Sequence, residues 1–468
     1  MIRTRHLITV SLFLFFCLHT AVAENISTRD STVVIAKIIV IGNEKTDEDI
    51  ILREITFRSG DTVRNIAAAI KRSEANLVNM ELFNYVKVSY YAVAGGFVDV
   101  LIEIKERWYF WPIPLFSLAE TNFNTWWLTK DFRRANYGLL LVKKNFRGRN
   151  EDIAVKGQIG YSKELVALYS RPYLSKSQRL GFTVSAGLIQ LGEITVATVN
   201  NKRVFFRSGH GRTRQELFGR LGFNFRNKFY WSHYLEFGYQ NIQVVDTLTR
   251  FTNDYFFANS PHTEFPGATY VVRYDKRDNK GYPLAGWLVH GEIQKYGIAI
   301  AGQKNLNVLH ATAYARNYFP VGSRWYAAWQ LKYKRTFTNN LPYYFQRALG
   351  YDDFVRGFEY YVIDGQHFGL LKSNLKFNIV KPHVRPIEWL SKTNLYKFHY
   401  ASYLNFYVDA GYVWDKYYAV KNDLANEMLY SFGVGLDVLC YYDKVMRFEY
   451  SFNSLMEHGF FIHFVQPI

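Results

Sequence analysis

The sequence predicts an all-β transmembrane barrel of about 16 antiparallel strands preceded by one small α/β domain. Three observations predict it. Aromatic residues make up 18% of the 468 positions, yet mean hydropathy is only −0.16, so the rings are interleaved with polar residues rather than gathered into runs. After the N-terminus, no apolar stretch reaches the roughly 20 residues that a membrane helix needs. From 136 to 468, segment after segment alternates with a period of two, and at roughly 20 residues per strand and connection this length holds about 16 strands.

Residues 1–23 read as a secretory signal peptide: Arg3, Arg5 and His6 precede the apolar stretch Leu7–Leu18, and Ala21-Val22-Ala23 supplies the small-residue cleavage site. Its loss leaves Cys440 as the only cysteine, so no internal disulfide or cysteine metal cluster is expected. The net charge of +17 would suit nucleic acid in a cytosolic protein. In an exported barrel it suits a lumen wall or anionic lipid headgroups, and no nucleic-acid partner is expected.

Between Val33 and Arg107 the order reads strand, helix, helix, strand, strand. Val33–Ile41 is β-branched and stops at Gly42-Asn43. Thr46 or Asp47 is placed to cap a short helix, and Ile66, Ile70, Leu77 and Met80 lie near helical spacing. Leu82–Val93 and Phe97–Ile104 form a hairpin across Gly95-Gly96. Residues 108–135, with Trp108, Trp111, Pro112, Pro114, Trp126 and Trp127, read as an aromatic junction at a water–lipid boundary, because prolines stop a central strand.

In the barrel region Leu217, Leu221, Phe223 and Phe225 share a face opposite Arg220, Asn224 and Arg226. Lys372, Asn374, Lys376 and Asn378 share another, as do Arg447, Glu449 and Ser451. A basic side chain at mid-depth in lipid costs about 2–4 kcal/mol, so these polar faces line a lumen. Arg356, beside Gly357 in a long connection, suits a cation carried on a turn into that lumen. Alternation along Tyr403–Gly411 places Asn405, Asp409 and Gly411 on one face, which makes Asp409 an available acidic partner.

Val355-Arg356-Gly357-Phe358 resembles the VRGF loop motif, and Tyr407-Val408-Asp409-Ala410-Gly411 the (F/Y)-x-D-x-G strand motif, of the BamA/TamA-type outer-membrane protein assembly superfamily, the bacterial surface antigen family. Weaker likenesses occur in family order: Asn145–Glu151, Asp275-Lys276-Arg277-Asp278 with Pro283 and Gly286, Ser431–Gly435 and Arg447–Ser451. Gly42–Thr46, Arg53-Glu54, Gly60-Asp61 and Leu82–Val86 resemble a POTRA domain, present here once. The resemblance implies a POTRA domain over 24–107 (core 33–107) in the periplasm and a barrel over 136–468 in the outer membrane of a Gram-negative bacterium.

It further implies a loop latch formed by Val355, Arg356, Gly357, Phe358, Asp409 and Gly411. A lateral seam is expected between a first strand near Tyr137 and Gly138 and a last strand with Gly459, Phe460 and Phe464. The implied function is insertion of unfolded outer-membrane protein clients into the outer-membrane lipid bilayer through that seam, with periplasmic accessory proteins docking on the POTRA domain. The alternative is a polypeptide-export pore of two-partner-secretion type with the VRGF loop as lumen plug. Two departures stand out: Lys376 occupies a position where members commonly carry an acid beside the arginine, and the chain ends Gln466-Pro467-Ile468 rather than on an aromatic.

The sequence offers no G-x-S-x-G, H-E-x-x-H or phosphate-binding loop, so neither catalysis nor a cofactor or metal is expected. Either Arg356→Ala or Asp409→Ala is expected to weaken function and loosen the barrel, with exchange of the two charges restoring part of it.

Overall fold

The computed structural model describes residues 32–118, 130, 132, 133–172, 174, 179–209, 211–227, 229–251, 255–256, 260–298, 306–339, 341–386, 397–417, 419–440 and 444–464. Residues 1–23, read from the sequence as a signal peptide, together with Trp126, Trp127 and the chain end after Phe464, lie outside them. The first part is an α/β domain: β1 (Val33–Ile41), α1 (Glu48–Leu52), β2 (Thr62–Val63), α2 (Ile66–Val78), β3 (Phe83–Ala92) and β4 (Phe97–Glu106). The sheet order is β2-β1-β4-β3, with β1 parallel to β4 and β3 antiparallel to it. Its core is built from Ile35, Ile51, Leu77, Val100 and Ile102, all fully buried. Asp47 occupies the position before α1 but makes no side-chain cap. Thr46 turns the other way, and its hydroxyl donates to Glu106 Oε1 at 2.6 Å.

A 16-stranded sheet follows. In chain order it contains β5 (Phe110–Leu118), β6 (Ala135–Phe146), β7 (Glu151–Gly160), β8 (Ser162–Arg171) and β9 (Leu180–Leu191). A separate hairpin, β10 (Glu193–Val199) and β11 (Lys202–Arg207), interrupts it. The sheet resumes with β12 (Arg214–Arg226), β13 (Trp231–Val244), β14 (His262–Asp275), β15 (Gly286–Tyr296), β16 (Val308–Pro320) and β17 (Trp325–Thr336). A short stem of β18 (Arg347–Leu349) and β19 (Ile363–Asp364) comes next. Then come β20 (His367–Pro386), β21 (Lys397–Trp414), β22 (Met428–Cys440), β23 (Lys444–Asn453) and β24 (His458–Phe464). On β12, Leu217, Leu221 and Phe225 are 55%, 41% and 44% exposed, an apolar outer row that suits hydrocarbon and not water. Among the described residues no helix is long and apolar enough to cross a membrane; the crossing is made by strands.

The first barrel strand is β5, not the segment near Tyr137. Residues 110–118, assigned from the sequence to the junction, pair antiparallel with β6 from Phe110↔Lys143 to Leu118↔Ala135. Tyr137 and Gly138 therefore sit in the second strand, with Tyr137 between Phe116 and Ile159. The prolines are tolerated because an edge strand needs only alternate N–H groups for its one neighbour. The hydrogen-bonded order runs from β24 to β5, and among the described residues no ladder joins these two ends.

The α/β domain rests on the turns at one end of the barrel, called here the near end. Asn145 Nδ2 donates to Thr46 Oγ1 at 2.9 Å, and the Asp47 N–H donates to Gly148 O at 3.0 Å. Arg226 grips Glu54 through two bonds of 2.5 and 2.9 Å. At the far end an apolar cap forms from the β10–β11 hairpin and the long connections. Ile194, Val196, Ile242, Leu248, Phe265, Leu306, Tyr343 and Phe345 are buried in it. The hairpin reaches across to the connection after β21, where the Asn201 N–H donates to Asn422 Oδ1 at 2.9 Å.

Candidate functional site: a buried arginine latch

The connection from Gly350 to Val362 hangs from the β18–β19 stem and folds into the barrel. Arg356 is 2% exposed and Asp409 fully buried. The guanidinium meets Asp409 side by side, with Nε to Oδ2 at 2.7 Å and Nη2 to Oδ1 at 2.5 Å. Nη1 donates to Asn374 Oδ1 at 2.8 Å and to Glu449 Oε1 at 3.3 Å, and Nη2 to Ser373 O at 3.1 Å. All five guanidinium donors are thereby used. The guanidinium carbon also lies 3.8 Å from the centre of the Tyr407 ring.

Backbone shape permits this fit at two glycines. Gly357 has φ +85, and a Cβ there would stand 3.2 Å from Ser451 Cβ; its carbonyl accepts from Asn453 Nδ2 at 2.7 Å. At Gly411 a Cβ would lie 2.6 Å from Val355 Cγ2, so the bare backbone leaves room for Val355. Val355 and Phe358 are buried with Leu349, Phe368 and Val413. The six residues assigned to the latch from the sequence thus meet in one place.

Glu449 supplies the second carboxylate, a role that sequence reasoning missed. It also continues the charge chain: Arg447 Nη1 lies 3.8 Å from Glu449 Oε1, and Arg447 pairs with Asp437 at 2.7 and 3.1 Å. Tyr282 donates to Asp437 at 2.8 Å. Lys376, the departure noted above, takes no part in holding Arg356. Its ammonium lies 4.3 Å from the centre of the Tyr282 ring. The helper acid is indeed absent from β20, and β23 supplies Glu449 as a second carboxylate instead.

The last strand carries Gly459, Phe460 and Phe464, as expected. Phe460 is 52% exposed on the outer face. On the inner face His463 lies 3.5 Å from both Glu359 Oε1 and Glu449 Oε2, and it stacks on Phe354 at 5.6 Å. The latch loop thus touches an end strand of the sheet directly.

Within the stem, Asp364 of β19 accepts from Thr198 Oγ1 at 2.5 Å and from Tyr351 OH at 2.7 Å. Burial pushes its carboxyl up to about 6. A raised folded-state value means that the folded chain binds the proton more readily than the unfolded one. Stability at this site is therefore full below the ordinary carboxylate range and falls as pH rises to about 6. Asp364→Asn is expected to raise the melting temperature at pH 8, with the gain fading below pH 5. An equal effect at both pH values contradicts this.

A transmembrane barrel with a buried arginine loop and a small α/β domain at one end defines a class, and comparison places the chain within it. Residues 145–440 match the Omp85 superfamily domain. The chain belongs to the Omp85 superfamily. Among solved structures it is similar to BamA from Haemophilus ducreyi lacking POTRA domains 1–3, at 16% identity and TM-score 0.51, over 92% of this chain and 83% of that one. It is similar also to CdiB from Escherichia coli, at 12% identity and TM-score 0.56, over 93% and 75%. No curated protein matches it by sequence.

Proposed function

We propose that this protein inserts β-barrel polypeptides into the outer membrane through the seam between β5 and β24, with its α/β domain acting as a single periplasmic POTRA module. One observation carries the reading. The lumen is filled at two levels, by the arginine latch and by the apolar cap at the far end, whereas the sheet leaves its two end strands without a mutual ladder among the described residues. An unpaired strand edge is a template for another strand. The α/β domain stands at the near end, where clients would arrive, and β3 is an outer strand of its sheet, the kind of edge that takes up an extended segment of a client or accessory protein.

The second reading is a polypeptide-export pore. It is favoured by one feature: the occluding loop is a separable element on a two-strand stem, so its withdrawal would clear that level of the lumen. Depletion of the protein followed by quantitative proteomics of the outer membrane separates the readings. Loss of many unrelated barrel proteins is expected; an unchanged outer membrane with one missing secreted protein contradicts insertion.

A further inference from the structure

Between the β7–β8 turn and the β10–β11 hairpin, at the far end of the barrel, lies a cavity of about 530 Å3, a size that takes a small ligand or a lipid head group. Four cations line it, Arg134, Lys163, Arg207 and Arg212, against one carboxylate, Glu193. That carboxylate is already engaged: Arg134 Nη2 lies 2.7 Å from Glu193 Oε2, and Tyr161 OH donates to the same oxygen at 2.7 Å. Arg212 donates to a neutral group, Gln215 Oε1, at 2.5 Å. Lys163 and Arg207 are exposed and have no carboxylate partner among the described residues. Four cations less one carboxylate leave three positive charges for a ligand.

The strand register fixes the depth of this cavity in the membrane. Leu165, Leu188 and Leu217 are matched across β8, β9 and β12. Leu165 and Leu217, 61% and 55% exposed, belong to the lipid-facing row. Two residues further toward the far end, and so on the same face, Lys163, Gln190 and Gln215 are matched in turn, with Gln190 Nε2 donating to Gln215 Oε1 at 3.3 Å. Two residues along a strand span about 7 Å. Within one side-chain step an apolar row gives way to a cation and two amides, the order in which hydrocarbon gives way to head groups.

We infer that this cavity holds the phosphorylated head of an outer-leaflet lipid. Phosphate monoesters fit it best: each carries about −1.5 to −2 charge and three strong acceptor oxygens, which Lys163 and the forked donors of Arg207 and Arg212 match. A zwitterionic head would bring an ammonium into a site that is already positive. The acyl chains of the bound lipid lie along Leu165 and Leu217, and the head fixes the depth of this flank of the barrel. Placement in the outer leaflet rests on the reading of the α/β domain as periplasmic, since the cavity is at the opposite end.

The test measures binding of fluorescent lipid A, an acylated disaccharide carrying two phosphates, to the full-length protein in nonionic detergent. Lys163→Gln and Arg207→Gln break no ion pair among the described residues, so the barrel is expected to keep its heat-resistant migration. Each is expected to weaken binding about fivefold, and the two together about 25-fold, the share of one and of two cations at an anionic lipid surface. Lys37→Gln with Lys87→Gln, which removes the same charge from exposed positions on the α/β domain, is expected to leave binding unchanged. Lipid A stripped of its phosphates, and phosphatidylethanolamine, are expected to bind the native protein no better than lipid A binds the double variant. Inorganic phosphate is expected to compete only weakly, since it brings no acyl chain to the apolar row. Equal binding by native protein and double variant, an equal loss in the Lys37 and Lys87 control, binding that persists without the phosphates, or inorganic phosphate competing as well as the lipid overturns the proposal. Orientation is checked separately by labelling Val420→Cys, in a Cys440→Ser background, with a membrane-impermeant maleimide on intact cells; Val420 is 95% exposed in the far-end connection after β21. Selective binding without labelling overturns the outer-leaflet placement and leaves a phosphate site, whereas labelling without selective binding overturns the site and leaves the orientation.

Discussion

Arg356→Ala is expected to destabilise the folded barrel by about 3–5 kcal/mol, the cost of leaving a buried charge without its partner. The effect stands at the upper end because two carboxylates lose the same cation: Asp409 at 2.5 Å and Glu449 at 3.3 Å, both almost wholly buried. Loss of heat-resistant migration on a gel, together with faster proteolysis of the 350–362 loop, is the measurement. Arg356→Lys keeps the charge but offers three donors in place of five, so it is expected to recover the migration only in part. Exchanging the two charges, which from the sequence is expected to restore some activity, gains nothing in this setting. A carboxylate at 356 would face Glu449, the Asn374 carbonyl and Ser373 O, all of them acceptors. The exchanged double variant is expected to behave no better than either single change, and full rescue would show that Glu449 is not part of the latch.

Joining β5 to β24 is expected to abolish insertion altogether. One cysteine on each strand, in a Cys440→Ser background, bridged by a short bis-thiol linker, closes the gap that the described residues leave between the ends of the hydrogen-bonded order. Export through the lumen would be spared, because the linker leaves the loop on its β18–β19 stem untouched. Cells relying on the bridged protein should lose newly assembled barrel proteins, and cells with either single cysteine should not. Continued assembly with the bridge intact would exclude the seam as the route.

Much of this arrangement was legible in the chain because a period of two is a local signal. Alternation alone placed Asp409 and Gly411 on the inner face and Leu217, Leu221 and Phe225 on the outer one, and the exposures agree. Glu449 was seen on an inner face, yet its meeting with Arg356 lies 93 residues away in sequence. It depends on how far the loop descends and how the strands are staggered, which no local pattern encodes. β5 was misread for a different reason. The rule that proline stops a strand holds for a strand with two neighbours, and β5 has one in the hydrogen-bonded order. Spacing alone suits either Thr46 or Asp47 to a helix cap, but Glu106, 60 residues on from Thr46, offers its hydroxyl the stronger acceptor.

The most direct test of the account is the ionic conductance of the purified full-length protein in a planar bilayer. With the lumen filled by the latch loop and the far-end cap, the native protein is expected to show no sustained open level, and Arg356→Ala to show frequent large openings. A steady large conductance from the native protein would contradict a plugged lumen and, with it, the seam as the path of transport.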